Sequence, residues 1–176
     1  MKRKLALLIS VVAVLFPFAV HQNAQASQPD EHNKVLDQSF LNNLVGDWKL
    51  TRKMHGKLSE SVVHGEWVLN HQFVFMHMKD AASPAEYEAR IYIGYDSTSE
   101  RYVAHWIDIF GGRTSETLGY GNLEGTSLKF TFEYPDGPFH NTMTWHPNTR
   151  SWTFLMEQKS PQGQWVNFAE DNLRKA

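Results

Sequence analysis

Apolar and polar side chains alternate along most of the chain after Gly46. The clearest case is the stretch 126–134, in which Leu128, Phe130 and Phe132 fall on one face and polar residues on the other. Alternation with a period of two is typical of β-strands with one buried face. Short turns rich in Gly, Pro, Asn and Asp separate these stretches, and no helical crossover lies between any two of them. The sequence therefore predicts an all-β fold of sequential antiparallel strands.

The pattern contains ten candidate strands joined by short turns. They cover residues 48–55, 61–69, 72–79, 86–96, 101–110, 114–121, 126–134, 139–146, 151–158 and 165–173. A sheet of this many strands rarely stays open, and closure removes its exposed edges. We therefore predict an antiparallel up-and-down β-barrel. A short N-terminal helix is predicted before it, because the apolar residues within 36–44 recur at helical spacing.

The stretch 91–112 contains the best-defined hairpin. Two runs of β-branched and aromatic residues flank a polar tetrad, and a Gly-Gly pair follows the second run. Placing Asp96 opposite Arg101 predicts which residues face one another across the two strands. The facing pairs on the apolar side are Tyr95 and Tyr102, Ile93 and Ala104, Ile91 and Trp106, and Ala89 and Asp108. Asp108 is the single charged residue of this face, and a carboxylate among aromatic rings is where binding or chemistry is first sought.

The first 26 residues have the features of a secretory signal peptide. A basic start at 2–4 precedes an apolar core over 5–20, and the A-x-A sequence that ends at Ala26 matches a cleavage site. The apolar core is at the lower edge of membrane-spanning length, so an uncleaved anchor is the alternative. We predict cleavage after Ala26 and export to a bacterial periplasm or to the medium, with no stable membrane anchor afterwards.

Cleavage would leave a mature chain in which 27–34 is predicted to be a disordered linker and 35–176 a single domain. It would remove three of the 17 basic residues and none of the 19 acidic ones, so the formal net charge would change from −2 to −5. A negative chain without basic clusters argues against nucleic acid or an anionic membrane surface as a partner. The absence of cysteine excludes disulfides, thiolate catalysis, Cys-ligated metals and a lipoprotein anchor.

The apolar faces of the predicted strands carry the candidate ligand-binding residues. These are the polar residues Asp108 and Asn141 and the aromatic residues Trp106, Tyr95, Tyr102, Trp145, Phe130, Phe132, Trp152 and Phe154. We hypothesise that the protein binds a small apolar or aromatic molecule inside the barrel and needs no cofactor. The alternative is that these rings fill the barrel and leave no cavity. For Asp108, the alternative to a ligand contact is that it accepts backbone amides of the glycine turn that follows.

Three other hypotheses use other features. His64, Glu66 and His77 would share one face of a hairpin, and a cross-strand His pair with a carboxylate can ligate a metal, which suggests a metal- or haem-binding barrel. A solvated outer face is the simpler interpretation of the same three residues. A small-molecule isomerase or hydrolase would use Asp108 with a neighbouring Tyr or His. An interaction module would need an exposed apolar sheet face. The absence of sequences such as G-x-S-x-G or H-E-x-x-H favours a non-enzymatic function.

Gly46-Asp47-Trp48, after a short helix, resembles the G-x-W sequence of the lipocalin-like (calycin) barrels. The resemblance implies that Trp48 seals one end of the barrel. It also implies that a basic residue of the last strand covers the indole ring, and Arg174 is the residue at the matching position.

A second resemblance rests on the central hairpin, in which G-Y-D at 94–96 is followed by Y-V at 102–103 and W-I-D at 106–108. This run is similar to a bacterial family of lipocalin-like domains of unknown function. The similarity extends from the leading helix to the last strand and departs from the family pattern at 70–72. It implies the fold, and it brings no activity and no functional residue with it.

Overall fold

The computed structural model of the protein describes residues 39–176. Its ten strands are β1 (Gly46–Met54), β2 (Lys57–Val68), β3 (Phe73–Asp80), β4 (Glu88–Asp96), β5 (Arg101–Asp108), β6 (Leu118–Glu124), β7 (Ser127–Tyr134), β8 (Gly137–His146), β9 (Ser151–Lys159) and β10 (Trp165–Lys175). A 3₁₀ helix (Ser39–Leu44) precedes β1, and a single-turn helix, α1 (Gly112–Ser115), lies between β5 and β6.

Each strand pairs antiparallel with its neighbour in the chain, and β1 also pairs with β10. This order closes the sheet into a barrel and confirms the predicted fold class, an all-β up-and-down barrel of ten strands. The closing pair runs from Trp48 opposite Lys175 to Met54 opposite Ala169. Closure satisfies the backbone hydrogen-bonding groups that an open sheet would leave unpaired at its edges.

The register predicted for the central hairpin is confirmed along β4 and β5. Asp96 faces Arg101, and the facing pairs on the inner side are Tyr95 and Tyr102, Ile93 and Ala104, Ile91 and Trp106, and Ala89 and Asp108. In the preceding hairpin, His64 faces His77 across β2 and β3. Because successive side chains of a strand point to opposite faces, these registers decide which residues enter the barrel interior.

The N-terminal helix differs from its prediction. The described part of the chain has a 3₁₀ helix at Ser39–Leu44 in place of an α-helix over 36–44. A segment this short is held by tertiary packing, and the 3₁₀ form aligns Leu41 with Leu44 so that both enter the barrel end. Positions 36–38, the predicted signal peptide and the predicted linker lie outside the described residues. Within 39–176, no helix has the length and apolar character needed to cross a membrane.

The sixth strand begins at Leu118, later than predicted, because the preceding residues form α1. Thr114 Oγ1 donates to the Gly111 carbonyl at 3.1 Å. Gly111 has a φ of 89°, a left-handed conformation that glycine adopts without strain. Ser115 lies at the end of this turn, and its carbonyl is 2.6 Å from His105 Nε2 on β5. Side-chain and backbone hydrogen bonds of this kind compete with strand pairing. Because these residues form the turn, β6 begins only at Leu118.

The 3₁₀ helix closes one end of the barrel. Leu41 and Leu44 are fully buried within the core. Two inward indoles bond to the helix carbonyls: Trp48 Nε1 donates to Leu44 O at 2.9 Å, and Trp152 Nε1 donates to Asn43 O at 2.9 Å. These bonds satisfy buried indole N–H groups and carbonyls that the short helix leaves free. We call this end of the barrel the closed end, and the opposite end the open end.

The basic residue that covers Trp48 is Lys175, so the prediction of Arg174 was wrong. Lys175 Nζ lies 3.7 Å from the centre of the Trp48 ring and donates to Val45 O at 2.6 Å. The register explains the difference, because Lys175 is directly opposite Trp48 whereas Arg174 is opposite Lys49. The side chain of Arg174 therefore points out of the barrel and is exposed.

Candidate ligand-binding site

The open end of the barrel contains a cavity of about 580 Å³. Its apolar and aromatic lining comes from Met54, Leu58, Tyr87, Trp106, Phe110, Phe132, Tyr134, Phe139, Met156 and Phe168. Its polar lining comes from Arg52, His55, Lys57, Ser59, Asp80, Glu86, Asp108, Thr114 and Asn141. In an up-and-down barrel, alternate strands end at the same opening, so residues far apart in the chain meet there. The volume falls within the range of small-molecule pockets.

One wall of the cavity is a continuous set of aromatic rings that we call the aromatic wall: Phe132, Tyr134, Phe139 and Phe168. Phe132 stacks on Tyr134 with ring centres 5.8 Å apart, and Tyr134 and Phe139 meet edge to face at 6.2 Å. Phe139 meets Phe168 edge to face at 5.4 Å. The ring of Phe132 lies over Gly119, where a Cβ atom would be 2.5 Å from the ring. The wall offers flat apolar surface against which an aromatic ligand could pack.

Trp106, Tyr87 and Asp108 form a hydrogen-bonded chain at the cavity surface. Trp106 Nε1 donates to the Tyr87 hydroxyl oxygen at 2.9 Å, and that hydroxyl donates to Asp108 Oδ2 at 3.4 Å. Burial raises the pKa of Tyr87 to about 12, against the opposing effect of the Trp106 hydrogen bond, so the phenol is neutral at pH 7. Asp108 Oδ1 accepts the Phe110 N–H at 3.0 Å, as the structural interpretation of Asp108 predicted. Asp108 therefore stabilises the turn and also lines the cavity.

Arg52 and Asp171 form a buried ion pair at the open end. Arg52 Nε and Nη2 each donate to one carboxylate oxygen of Asp171 at 2.7 Å. The Asp171 side chain is fully buried and that of Arg52 is 12% exposed. Burial alone would lower the pKa of Arg52, but the hydrogen bonds and charge of Asp171 outweigh it and raise that pKa. The guanidinium also lies 5.0 Å from the Tyr87 ring centre, so the pair and the hydrogen-bonded chain are adjacent.

Asn141 is the third polar feature of the cavity. It lies on β8, is 2% exposed, and has no hydrogen-bond partner for its side-chain oxygen within the described part of the chain. Its register partners on either side are Phe130 and Met156, neither of which has a strong donor. An unpaired buried acceptor costs about 1–3 kcal/mol and is exceptional in folded proteins.

The structure divides the predicted ligand-binding residues between the two ends of the barrel. Those that line the cavity are Asp108, Trp106, Asn141 and Phe132. Those that pack within the interior and do not line it are Tyr95, Tyr102, Trp145, Phe130, Trp152 and Phe154. Tyr95 and Tyr102 lie 5.0 Å apart, and Trp145 and Trp152 lie 5.2 Å apart, both pairs near the closed end. The aromatic filling predicted as the alternative therefore describes one half of the barrel.

The candidate metal ligands lie on the outer face of β2 and β3, opposite in register as predicted. His64 Nδ1 is 2.6 Å from Asp47 Oδ1, and His77 Nε2 is 2.7 Å from Glu88 Oε1. The hydrogen bond to His77 lowers the pKa of Glu88. Glu66 is exposed on the same face. Residues 39–176 contain no group of three or more metal-ligating side chains, and neither histidine reaches the cavity.

Sequence reasoning missed Arg52, Tyr87 and Asp171. The alternation of inward and outward positions along a strand contained a signal for the two charged residues. Arg52 follows Trp48 and Leu50 at intervals of two, and Asp171 precedes Leu173 by two, so both fall at inward positions. Charged residues on the inward side of a strand are rare and mark either a buried pair or a site. Tyr87 precedes Ala89 by two within the predicted strand 86–96, so its spacing also placed it on the inward face, although in the structure it lies in the loop just before β4.

The family model described as "Protein of unknown function (DUF1579)" matches residues 36–175. No curated protein matches. Among solved structures, the chain is similar to a protein of unknown function from the DUF3598 family of Nostoc punctiforme, at 7% identity and a TM-score of 0.23. That match covers 80% of this chain and 99% of the other, and a similarity of this degree supports no inference.

Proposed function

This chain belongs to the DUF1579 family of proteins of unknown function, and we propose that it binds a small, largely apolar or aromatic molecule in the open half of its barrel. The observation that carries the proposal is the cavity itself, about 580 Å³ in a barrel whose other half is filled by side chains. A fold that could fill its whole interior, and fills only half, retains space that a ligand can occupy.

The composition of the cavity supports the same proposal. Binding sites for small molecules combine predominantly apolar surface with a few polar groups that orient the ligand. Here the aromatic wall supplies the apolar surface, and Asp108, Asn141 and Arg52, which is paired with Asp171, supply the polar groups. Leu58 and Phe110 are exposed at the rim, where they would meet an apolar molecule as it enters.

The proposal also covers where the protein is located in the cell and its relationship to the lipocalin-like barrels. The basic start, apolar core and Ala26 site of the first 26 residues support export to a periplasm or to the medium, with cleavage after Ala26. Sequencing the N-terminus of the protein purified from a periplasmic fraction tests this, and an intact Met1 would contradict it. The G-x-W sequence at β1, with Lys175 on the Trp48 ring, supports kinship with the lipocalin-like barrels.

Tryptophan fluorescence tests the binding proposal, because Trp106 is the one indole that lines the cavity among residues 39–176. A neutral hydrophobic fluorophore such as N-phenylnaphthylamine should bind saturably and accept energy from the protein. In Trp106→Phe the quenching should fall markedly, whereas in Trp152→Phe it should persist, since Trp152 lies at the closed end. Mass spectrometry of molecules extracted from the purified protein would identify a natural ligand.

Two results would contradict ligand binding. The first is absence of saturable binding by any neutral probe. The second is binding that a bulky substitution at the cavity rim, Ser59→Trp, leaves unchanged, because the probe would then sit elsewhere on the protein.

The alternative functions have weaker support. An isomerase or hydrolase would need Asp108 as a free base, but each of its carboxylate oxygens already accepts a hydrogen bond, from Phe110 N–H and from Tyr87. A metal- or haem-binding barrel that used His64 and His77 would have to bind on the outer face, outside the cavity.

A further inference from the structure

The position of Asn141 on β8 leaves its amide surrounded by apolar side chains. Across the sheet its neighbours are Phe130 and Met156, and along the inward face of its own strand they are Phe139 and Met143. Its side-chain oxygen is buried and unpaired in the described part of the chain, and the residue lines the cavity. A molecule in the cavity is therefore in a position to supply the missing hydrogen-bond donor.

The charges around the cavity restrict the kind of molecule that can supply this donor. Asp80, Glu86 and Asp108 line the cavity, against Arg52 and Lys57. The charge of Arg52 is already matched by Asp171 through two hydrogen bonds of 2.7 Å. Once Arg52 is set aside, three acidic residues of the cavity lining face one basic residue, Lys57. This excess of negative charge disfavours carboxylate, sulfate or phosphate groups on a ligand.

We infer that the ligand is an aromatic or apolar molecule without negative charge, whose buried end carries a neutral hydroxyl or N–H group that donates to Asn141 Oδ1. A hydroxyl group suits the site especially well, because it can donate to the amide oxygen or accept from the amide nitrogen. The flat body of such a molecule packs against the aromatic wall. This inference rests on the proposed function and narrows it to the class of neutral aromatic alcohols and their N–H analogues.

Three probes of nearly equal size test the inference: naphthalene, naphthol and naphthoate. At neutral pH they present no polar group, a neutral hydroxyl and a carboxylate to the same cavity. Competition against the neutral fluorophore should rank naphthol first, about 5-fold to 10-fold tighter than naphthalene, the change expected for one additional hydrogen bond. Naphthoate should bind most weakly of the three.

Asn141→Leu, which keeps the volume and removes the amide, should abolish the preference for naphthol over naphthalene while naphthalene still binds. The same variant should unfold at a higher temperature without ligand, because it removes an unpaired buried acceptor. Met143→Leu is the matched control, on the same face of β8 but outside the cavity lining, and it should keep the preference for naphthol.

The outcomes separate the inference from the proposed function. If the three probes bind equally well, or if Asn141→Leu retains the preference for naphthol, the inference is overturned and ligand binding stands. If naphthoate binds most tightly, the assignment of a neutral ligand is overturned. If neither the three probes nor the neutral fluorophore bind, the proposed function fails and the inference fails with it.

Discussion

The two ends of this barrel are built from the same alternating pattern but differ in what occupies the interior. At the closed end, Trp48 and Trp152 are about 1% exposed, and their N–H groups bond to carbonyls of the 3₁₀ helix. At the open end, Trp106 lines a cavity, and its N–H bonds to another side chain, that of Tyr87. The alternation of a strand determines which residues point inward. The presence of a plug determines whether those residues form a core or a pocket.

The plug is a six-residue helix, whereas the single-turn helix α1 lies at the open end, where Thr114 lines the cavity. Charged residues reinforce the difference. The closed end buries apolar and aromatic side chains, whereas the open end buries Arg52 and Asp171 as an ion pair. Removal of either partner alone would leave an uncompensated buried charge, so each side chain holds the other in place inside the barrel. We infer that the closed end provides most of the stability and the open end provides the binding surface.

Identical Trp-to-Ala substitutions at the two ends test this division most directly. Trp152→Ala should lower the free energy of unfolding by about 4 kcal/mol, because it leaves a large void in a packed interior. Trp106→Ala should lower it by about 2 kcal/mol, since that ring already borders open space. Chemical denaturation of both variants measures the difference. Equal losses would show that the open end is as much a core as the closed end.

Breaking the Arg52–Asp171 ion pair should cause the next largest loss of unfolding free energy. Arg52→Met should lower the free energy of unfolding by about 3 kcal/mol at neutral pH, because it leaves the Asp171 carboxylate buried without its partner. Burial raises the pKa of Asp171 even in the intact pair. The single variant should therefore regain stability as the pH falls and Asp171 is protonated.

The double variant Arg52→Met/Asp171→Leu is the control for this substitution. It should recover to within about 1 kcal/mol of the natural protein, because no unpaired charge remains. A double variant as unstable as Arg52→Met would mean that the loss comes from packing rather than from charge.

Tyr87 provides a pH-dependent test confined to the open end. Its folded-state pKa of about 12 lies above the ordinary value of 10.0, so its neutral form stabilises the fold below pH 10. That contribution is lost as the pH rises from 10 to about 12. An ultraviolet absorbance titration should show two phenols that ionise late, those of Tyr87 and Tyr134, because burial raises the pKa of both, and Tyr87→Phe should remove one of them. A late component as large in Tyr87→Phe as in the natural protein would contradict the raised pKa of Tyr87.

The smallest expected effect concerns the cover on Trp48. Lys175→Ala should lower the free energy of unfolding by about 1 kcal/mol, the range of an exposed cation–π contact. Arg174→Ala, one residue away but pointing outward, should change it by less than about 0.5 kcal/mol. Denaturation of the two variants under identical conditions measures both values. The reverse order would restore Arg174 as the covering residue.

Much of the fold could be predicted from sequence because its information is local. Alternation identifies strands, and polar turns identify their ends. Placing Asp96 opposite Arg101 was enough to give the register of a whole hairpin. The contact between Trp48 and Lys175 was harder to predict from sequence, because it depends on the register between the first and last strands. A shift of one residue there separates an inward Lys175 from an outward Arg174.

The site was predicted only in part for a related reason. The alternation along the strands correctly predicted that four residues face inward: Trp106, Asp108, Phe132 and Asn141. It could not say at which end a free volume would remain, because that depends on where the 3₁₀ helix docks. Arg52 lies at the inward spacing of Trp48 and Leu50, but a charged residue is seldom buried unless it is paired, and its partner Asp171 is 119 residues away in the sequence.

Closure by β1 and β10 has a consequence for how the protein is made. The first strand and the last are hydrogen-bonded neighbours, although nearly the whole domain separates them in sequence. The barrel cannot close during synthesis until residues 165–175 are available, and long-range pairing of this kind is slow. Until then β1 and β9 have open edges that can pair with strands of other chains. A chain that stops before Trp165 would keep both edges permanently, which makes such truncated products the species most prone to aggregate.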